Sequence, residues 1–382
     1  MARRKRIGLI YSYNEGWIGG TYYIENLIAA LGSLPNKRQP KLTIVAKRGD
    51  FQRLKQRVSY PHLARFSETR FMIVRRLVRK VVKVLCGRAI LQHKRMRADF
   101  LFPAQYEERY TKIRGKLFWI PDLQEHFLPE MFSSEEIAGR RRHQEKLVAR
   151  SSSIVFSGKV ALEQFKTVYP LNTSKIFSLP FAVTLPRLSD NAESILERYR
   201  VGTRYFICCN QFWKHKNHVV LLRSAARLVD SDIRFCLTGN TTDYRNPEFF
   251  AEIQTIVKDL GIEHKVVFTG FIPREDQLIL LKNSLGLVQP SLFEGWSTVL
   301  EDGKALGVPI LASSIAVHRE QLASYGSKEF FDPISVDELV VGMERLLVAG
   351  NQPRCGSNYD GAIRAYAERF LDILNEVPLD RV

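Results

Sequence analysis

Residues 289–307 read Gln289-Pro-Ser-Leu-Phe-Glu294-Gly-Trp-Ser-Thr298-Val-Leu-Glu301-Asp-Gly-Lys-Ala-Leu-Gly307. An apolar run, Leu285–Val288, enters a turn at Pro290-Ser291, and Glu294 follows with a glycine beside it. The spacing predicts a helix that starts near Ser297 or Thr298 and stops before Gly307. Strand, loop and helix start in that order make an anion site, because unpaired backbone N–H groups and the positive end of the helix dipole converge there. Glu294 and Glu301 flank that point. A phosphate on the amides and two acids for hydroxyls suit a nucleotide sugar. Thr298-Val-Leu-Glu301 is equally a capping box, in which Glu301 only closes the helix start.

Outward from this stretch, apolar strands alternate with amphipathic helices, as in parallel α/β domains. Strands are expected at Arg6–Ser12, Leu42–Ala46, Asp99–Phe102, Leu117–Ile120 and Ser153–Phe156. The pattern restarts after Thr184, with strands at Tyr205–Cys209, Arg234–Thr238, Val266–Thr269, Gly286–Val288 and Pro309–Ala312. The 382 residues fit two domains of ordinary size. The expected division is 1–184, 185–358 and a last helix within 359–382. Ligands of doubly wound sheets lie at the carboxyl ends of the strands, so the two domains should face each other across a cleft.

Three further segments sit at such strand ends. Lys214, His215 and Lys216 form a cationic loop after the first strand of the second domain, placed for a diphosphate. Gly19-Gly20 precedes a helix in the first domain and lets backbone approach a ligand closely. Trp119-Ile-Pro-Asp-Leu-Gln-Glu-His126 follows another strand. Asp230-Ser-Asp232 has the form of a metal-binding D-x-D but precedes its strand, the wrong end for a ligand. No metal site and no cofactor is expected. The five cysteines show no metal or disulfide spacing.

The stretch 289–320 resembles the carboxylate-pair motif of the family 4 retaining glycosyltransferases of the GT-B fold, in a Glu-Gly-Trp-Ser-Thr variant. The resemblance runs from about residue 6 to the C-terminal helix. It implies two Rossmann-like domains around a cleft, 1–184 on the acceptor side and 185–358 on the nucleotide-sugar donor side, with the last helix crossing back onto the first domain. It implies that Glu294 binds donor-sugar hydroxyls, that Glu301 binds the ribose, and that Gly295, Trp296, Ser297 and Thr298 hold the diphosphate. Six residues separate Glu294 from Glu301, one fewer than the commonest form. Lys216 takes the place of the family's lysine. Gln211 stands where an arginine is usual, and Lys214 is the candidate to replace that charge. Gly19 and Gly20 match a glycine loop that meets the donor phosphate. The family's histidine beside the reacting carbon is Pro121 here, and a proline offers no side-chain hydrogen bond. Asp122 or His126 then takes over, or catalysis rests on the diphosphate site.

The implied reaction moves a sugar from a nucleotide diphosphate donor to a saccharide or lipid-linked acceptor, with retention at the anomeric carbon. A nucleotide-sugar epimerase or a sugar phosphorylase of the same fold is the alternative. A basic nucleic-acid-binding protein is a distant third, because the charge is local. Residues 53–97 carry fourteen Lys and Arg against Glu68, which is +13 of the net +17. Within it, Arg75, Arg76, Arg79, Lys80 and Lys83 share one face of an amphipathic helix over 70–86. That helix reads equally as one packed on its domain with a solvated basic face and as one meeting anionic lipid. No apolar run reaches the ~18–20 residues that span a bilayer. The expected location is the cytoplasm, at the inner face of the membrane if the basic face engages lipid.

Overall fold

The structure, a computed structural model, describes residues 4–66, 93–105, 109–150, 152–189, 191–230, 232–349 and 359–379. Two all-parallel sheets organise it. The first contains β1 (Arg6–Ile10), β2 (Lys41–Val45), β3 (Leu63–Arg65), β4 (His93–Phe102), β5 (Arg109–Ile120), β6 (Ser153–Phe156) and β7 (Lys175–Ser178), in the order β3-β2-β1-β4-β5-β6-β7. The second contains β8 (Tyr205–Cys208), β9 (Arg234–Thr238), β10 (Val266–Gly270), β11 (Gly286–Gln289), β12 (Ile310–Ser313) and β13 (Lys328–Phe331), in the order β10-β9-β8-β11-β12-β13. Strand order reverses between β1 and β4 in one sheet and between β8 and β11 in the other. These are the crevices where doubly wound sheets bind ligands.

Central strands such as Ser153–Phe156, Tyr205–Cys208 and Ile310–Ser313 are buried along their whole length. Covered on both faces, they read as continuous apolar runs. Cys208, Cys209 and Cys236 lie buried as free thiols among them, small hydrophobes rather than ligands. Asp230 accepts from the Asp232 amide at 3.0 Å and from Arg204 at 2.9 Å, in a turn before β9.

The helix Tyr359–Glu376 leaves the second domain and packs on the first. Tyr366, Ala367, Phe370, Ile373 and Leu374 join the core that holds Leu27, Leu31 and Phe102. Each large side chain buried there contributes on the order of 1.5–3 kcal/mol. The same helix touches the connector between domains: the Val183 amide donates to the Tyr359 hydroxyl at 3.0 Å. The segment 70–86, with its basic face, lies outside the described residues. Among the described residues no helix is long and apolar enough to cross a membrane.

Candidate functional site

The carboxyl ends of both sheets face one cleft, and all four tryptophans of the chain line it. On the first-domain side, the loop after β1 leads into the helix Ile18–Gly32. The Thr21 hydroxyl pins that loop, accepting from the Asn14 amide (3.1 Å) and donating to Ser12 O (3.2 Å). Gly19 and Gly20 line the cleft from the first turn of that helix, which starts at Ile18, and not from a loop before it. From the opposite domain Gln211 lines it too, and its amide donates to Glu15 O at 2.9 Å. Gln211 thus holds the loop after β1 of the other domain instead of standing as a free phosphate ligand.

Glu294 is the hub of the second-domain wall. Its Oε1 accepts from Lys216 Nζ (2.5 Å), the Ser291 hydroxyl (2.8 Å) and Gln289 Nε2 (2.9 Å). Asn210 in turn donates to Gln289 Oε1 at 3.0 Å. Burial alone would push the Glu294 carboxyl up. The Lys216 ammonium and the Ser291 hydroxyl outweigh it and hold the group below its usual value. Lys216 ends a short 3-10 turn, Lys214–Lys216, whose neighbour His215 also lines the cleft. Burial, then Lys216, keeps the His215 ring neutral. Lys214 is exposed and does not line the cleft.

The helix Thr298–Leu306 begins as expected, but its cap differs. Ser297 is the N-cap, its hydroxyl accepting from the Leu300 amide. Glu301 closes no capping box, because the third helical position is Leu300. It is 1% exposed and bonds Lys304 Nζ (2.9 Å), Gln321 Nε2 (2.9 Å) and the Tyr359 hydroxyl (2.5 Å). It does not line the cleft. The next residue, Asp302, does. One residue turns the side chain about 100° around a helix axis, which exchanges the buried flank for the cleft. Asp302 accepts two hydrogen bonds from Arg274, one of them NH1 to Oδ2 at 2.6 Å. The signal for Asp302 was present in the sequence: seven residues separate it from Glu294, the commoner interval of the family.

Gln321 also occupies the Ser297 amide, its Oε1 accepting at 3.0 Å. With Leu300 and Glu301 amides bonded to Ser297, the Thr298 and Val299 N–H groups have no protein partner among the described residues. They point the helix dipole at the cleft.

Across from them, Pro121 and Asp122 follow β5. A Cβ on Gly295 would lie 2.1 Å from Pro121 O, so only glycine allows this approach of the two domains. Asp122 lines the cleft. Its Oδ1 accepts from Arg140 NH2 and from the Gln124 amide, and Oδ2 has no protein partner among the described residues. Arg140 Nε also bonds the fully buried Glu125 at 2.7 Å. His126 sits behind this wall, 2.9 Å from Gln144 Oε1 and edge-on to Tyr169. Of the two candidates for the family histidine's place, only Asp122 reaches the cleft. A second-domain acid, Glu320, caps the helix Lys159–Val168 of the first domain, accepting from the amides of Lys159 (2.7 Å) and Val160 (2.8 Å). Among the described residues no three His, Cys, Asp or Glu side chains are grouped as a metal ion requires.

Residues 196–358 match the family model described as glycosyl transferases group 1. The chain is 24% identical over 191 residues to an N-acetylgalactosaminyltransferase of Campylobacter jejuni whose name specifies a diphospho-undecaprenol acceptor, covering 50% of this chain and 48% of that protein. It is 27% identical over 120 residues to the O-antigen chain mannosyltransferase RfbU of Salmonella typhimurium, covering 31% and 32%. The chain thus spans about a third to a half of these curated relatives. Among solved structures, it resembles Anabaena HepE in complex with UDP-glucose, with a TM-score of 0.63, 14% identity and 97% of each chain covered. A glycosyltransferase from Rickettsia africae superposes with a TM-score of 0.63 at 12% identity, covering 98% and 97%. At these identities the likeness establishes the fold, which is GT-B over the whole chain.

Proposed function

We propose that this protein is a glycosyltransferase that moves a sugar from a nucleoside diphosphate donor to a hydroxyl of a saccharide or lipid-linked acceptor, in the synthesis of a cell-surface polysaccharide. The observation that carries the reading is the meeting, in one interdomain cleft, of Lys216, Glu294 and the open helix start at Thr298 and Val299. Lys216 and these amides take the diphosphate, with the Gly19-Gly20 backbone opposite. Asp302 takes the ribose hydroxyls in place of Glu301, and Glu294 takes donor-sugar hydroxyls through its second oxygen. The names of the relatives support a lipid-linked or O-antigen acceptor. The basic segment 70–86 would bring the enzyme to an anionic membrane surface.

The transfer proceeds with retention by front-face attack. The acceptor oxygen bonds the anomeric carbon while the bond from that carbon to the diphosphate oxygen breaks on the same face. The departing oxygen takes the acceptor's proton. Lys216 and the amides stabilise the charge that grows on the diphosphate, the largest single term in such sites. Asp122 orients sugar or acceptor. Proton NMR of the product tests this: the anomeric configuration of the donor is expected in the product. An inverted product, or a sugar covalently attached to the protein, overturns the mechanism.

A further inference from the structure

The cleft is chemically divided. Its second-domain wall carries the cations, Lys216 and Arg274, each already paired with an acid. The first-domain wall carries no Lys, Arg or His among its described lining residues. It is built instead on three rings in a stack. Tyr23 lies 4.1 Å from Trp119 at 9°, and Trp119 lies 5.5 Å from Trp17 at 23°. The inner two are fixed: Tyr23 is fully buried, and Trp119 Nε1 donates to Ser157 at 3.1 Å. The outermost, Trp17, is 43% exposed.

Two polar groups accompany the stack. Gln124 lines the cleft, is 6% exposed, and its Nε2 has no hydrogen-bond partner among the described residues. A buried amide donor left unpaired is destabilising, and a ligand acceptor would satisfy it. Asp122 supplies the complementary group, a carboxylate whose Oδ1 is held by Arg140 and whose Oδ2 is unengaged.

We infer that this wall, on the side of the cleft where the resemblance places the acceptor, takes an uncharged pyranose. One face of a pyranose is a patch of C–H groups, which packs on the exposed face of a rigid aromatic ring. Its hydroxyls both donate and accept, matching Asp122 Oδ2 and Gln124 Nε2. The cation nearest this wall, Arg140, is already shared by Asp122 and Glu125, so a phosphorylated or acidic sugar meets a cluster of one cation and two acids. The acceptor end that enters the cleft is therefore a neutral sugar, and any phosphate of a lipid carrier stays outside it. This inference rests on the glycosyltransferase reading.

The test uses the full chain saturated with a nucleoside diphosphate. A panel of methyl glycopyranosides and the corresponding sugar 6-phosphates is titrated against tryptophan fluorescence. At least one neutral glycoside is expected to bind and shift the emission, with the 6-phosphate at least tenfold weaker. Trp17→Ala and Gln124→Leu should each weaken that glycoside at least fivefold, Trp17→Phe should retain most of it, and nucleoside diphosphate affinity should stay within twofold throughout. No glycoside binding to protein that binds the diphosphate, equal binding by Trp17→Ala, or preference for the phosphorylated sugars overturns the inference. A protein that binds no nucleoside diphosphate at all instead overturns the donor reading, so the two failures are told apart.

Discussion

Lys216 Nζ lies 2.5 Å from Glu294 Oε1, so the cation assigned to the diphosphate and the acid assigned to the sugar form one half-buried unit before any ligand arrives. The pair fixes the lysine's position and orients the acid. Substituting one partner therefore has two effects, on binding and on stability.

Lys216→Ala is expected to weaken nucleoside diphosphate and nucleotide sugar alike, by about 1.5–3 kcal/mol for the lost charge-assisted hydrogen bond. It also leaves Glu294 half-buried without its cation, so the unfolding midpoint should fall. Adding Glu294→Gln should recover much of the stability and none of the diphosphate affinity. Calorimetry and urea unfolding on the parent chain and the two variants check this. Recovery of affinity in the double variant would remove Lys216 from the phosphate site.

The two acids of the helix start should separate by readout. Asp302→Asn should weaken any ribonucleoside diphosphate at least tenfold. Glu301→Gln should leave that affinity within about twofold and lower stability, because Glu301 ties the helix to Tyr359 and Gln321. Nucleotide affinity that follows Glu301 and ignores Asp302 would restore the assignment read from the sequence.

That reassignment shows what a sequence can carry. Ser153–Phe156 and Arg234–Thr238 were legible to the residue because central parallel strands are continuously apolar. Three of the four edge strands, Leu63–Arg65, Lys175–Ser178 and Lys328–Phe331, were not, because each is short and carries a charged residue, unlike the apolar edge strand Val266–Gly270. In the site, the loops holding Lys216 and Glu294 were legible from strand ends and charge. Which of two adjacent acids faces the cleft depends on helix phase, and phase was set by Ser297 as the cap. The partners of Asp122 and His126 lie on a separate helix, Ser134–Ala149, which no local spacing announces.

Gly295→Ala should hold the domains apart, since its methyl would meet Pro121 O. Small-angle scattering is expected to show a larger radius of gyration, and turnover should fall at least tenfold while the free diphosphate, held mainly by the second domain, loses less affinity. Unchanged scattering and turnover would mean that this close approach is no part of the working state.

Acid should destabilise the fold through its buried neutral histidines. Burial pushes the His318 ring down to about 4 and, with Lys216 adding to it, the His218 ring down to about 3. In the unfolded chain both take up a proton below about pH 6.5. The unfolded state therefore binds more protons as pH falls through that window. Stability is fully present above it and declines toward pH 4, by about 1.4 kcal/mol per pH unit per ring. His218 stacks flat on Phe212 at 4.4 Å, so His218→Phe should remove its share of the slope. Urea midpoints at pH 7, 6 and 5 measure it, and a flat profile in the parent chain would contradict the neutral assignment.

The central claim is that the cleft binds a nucleotide sugar through its diphosphate. Thermal unfolding against a panel of nucleotide sugars and their free diphosphates tests it most directly. A ligand present at 100 times its dissociation constant stabilises by about 2.7 kcal/mol. At least one nucleotide sugar, together with its own diphosphate, should raise the midpoint of the parent chain and raise it by half or less at the same concentration with Lys216→Ala. No shift with any member of the panel, or equal shifts in the parent chain and in Lys216→Ala, would contradict the account.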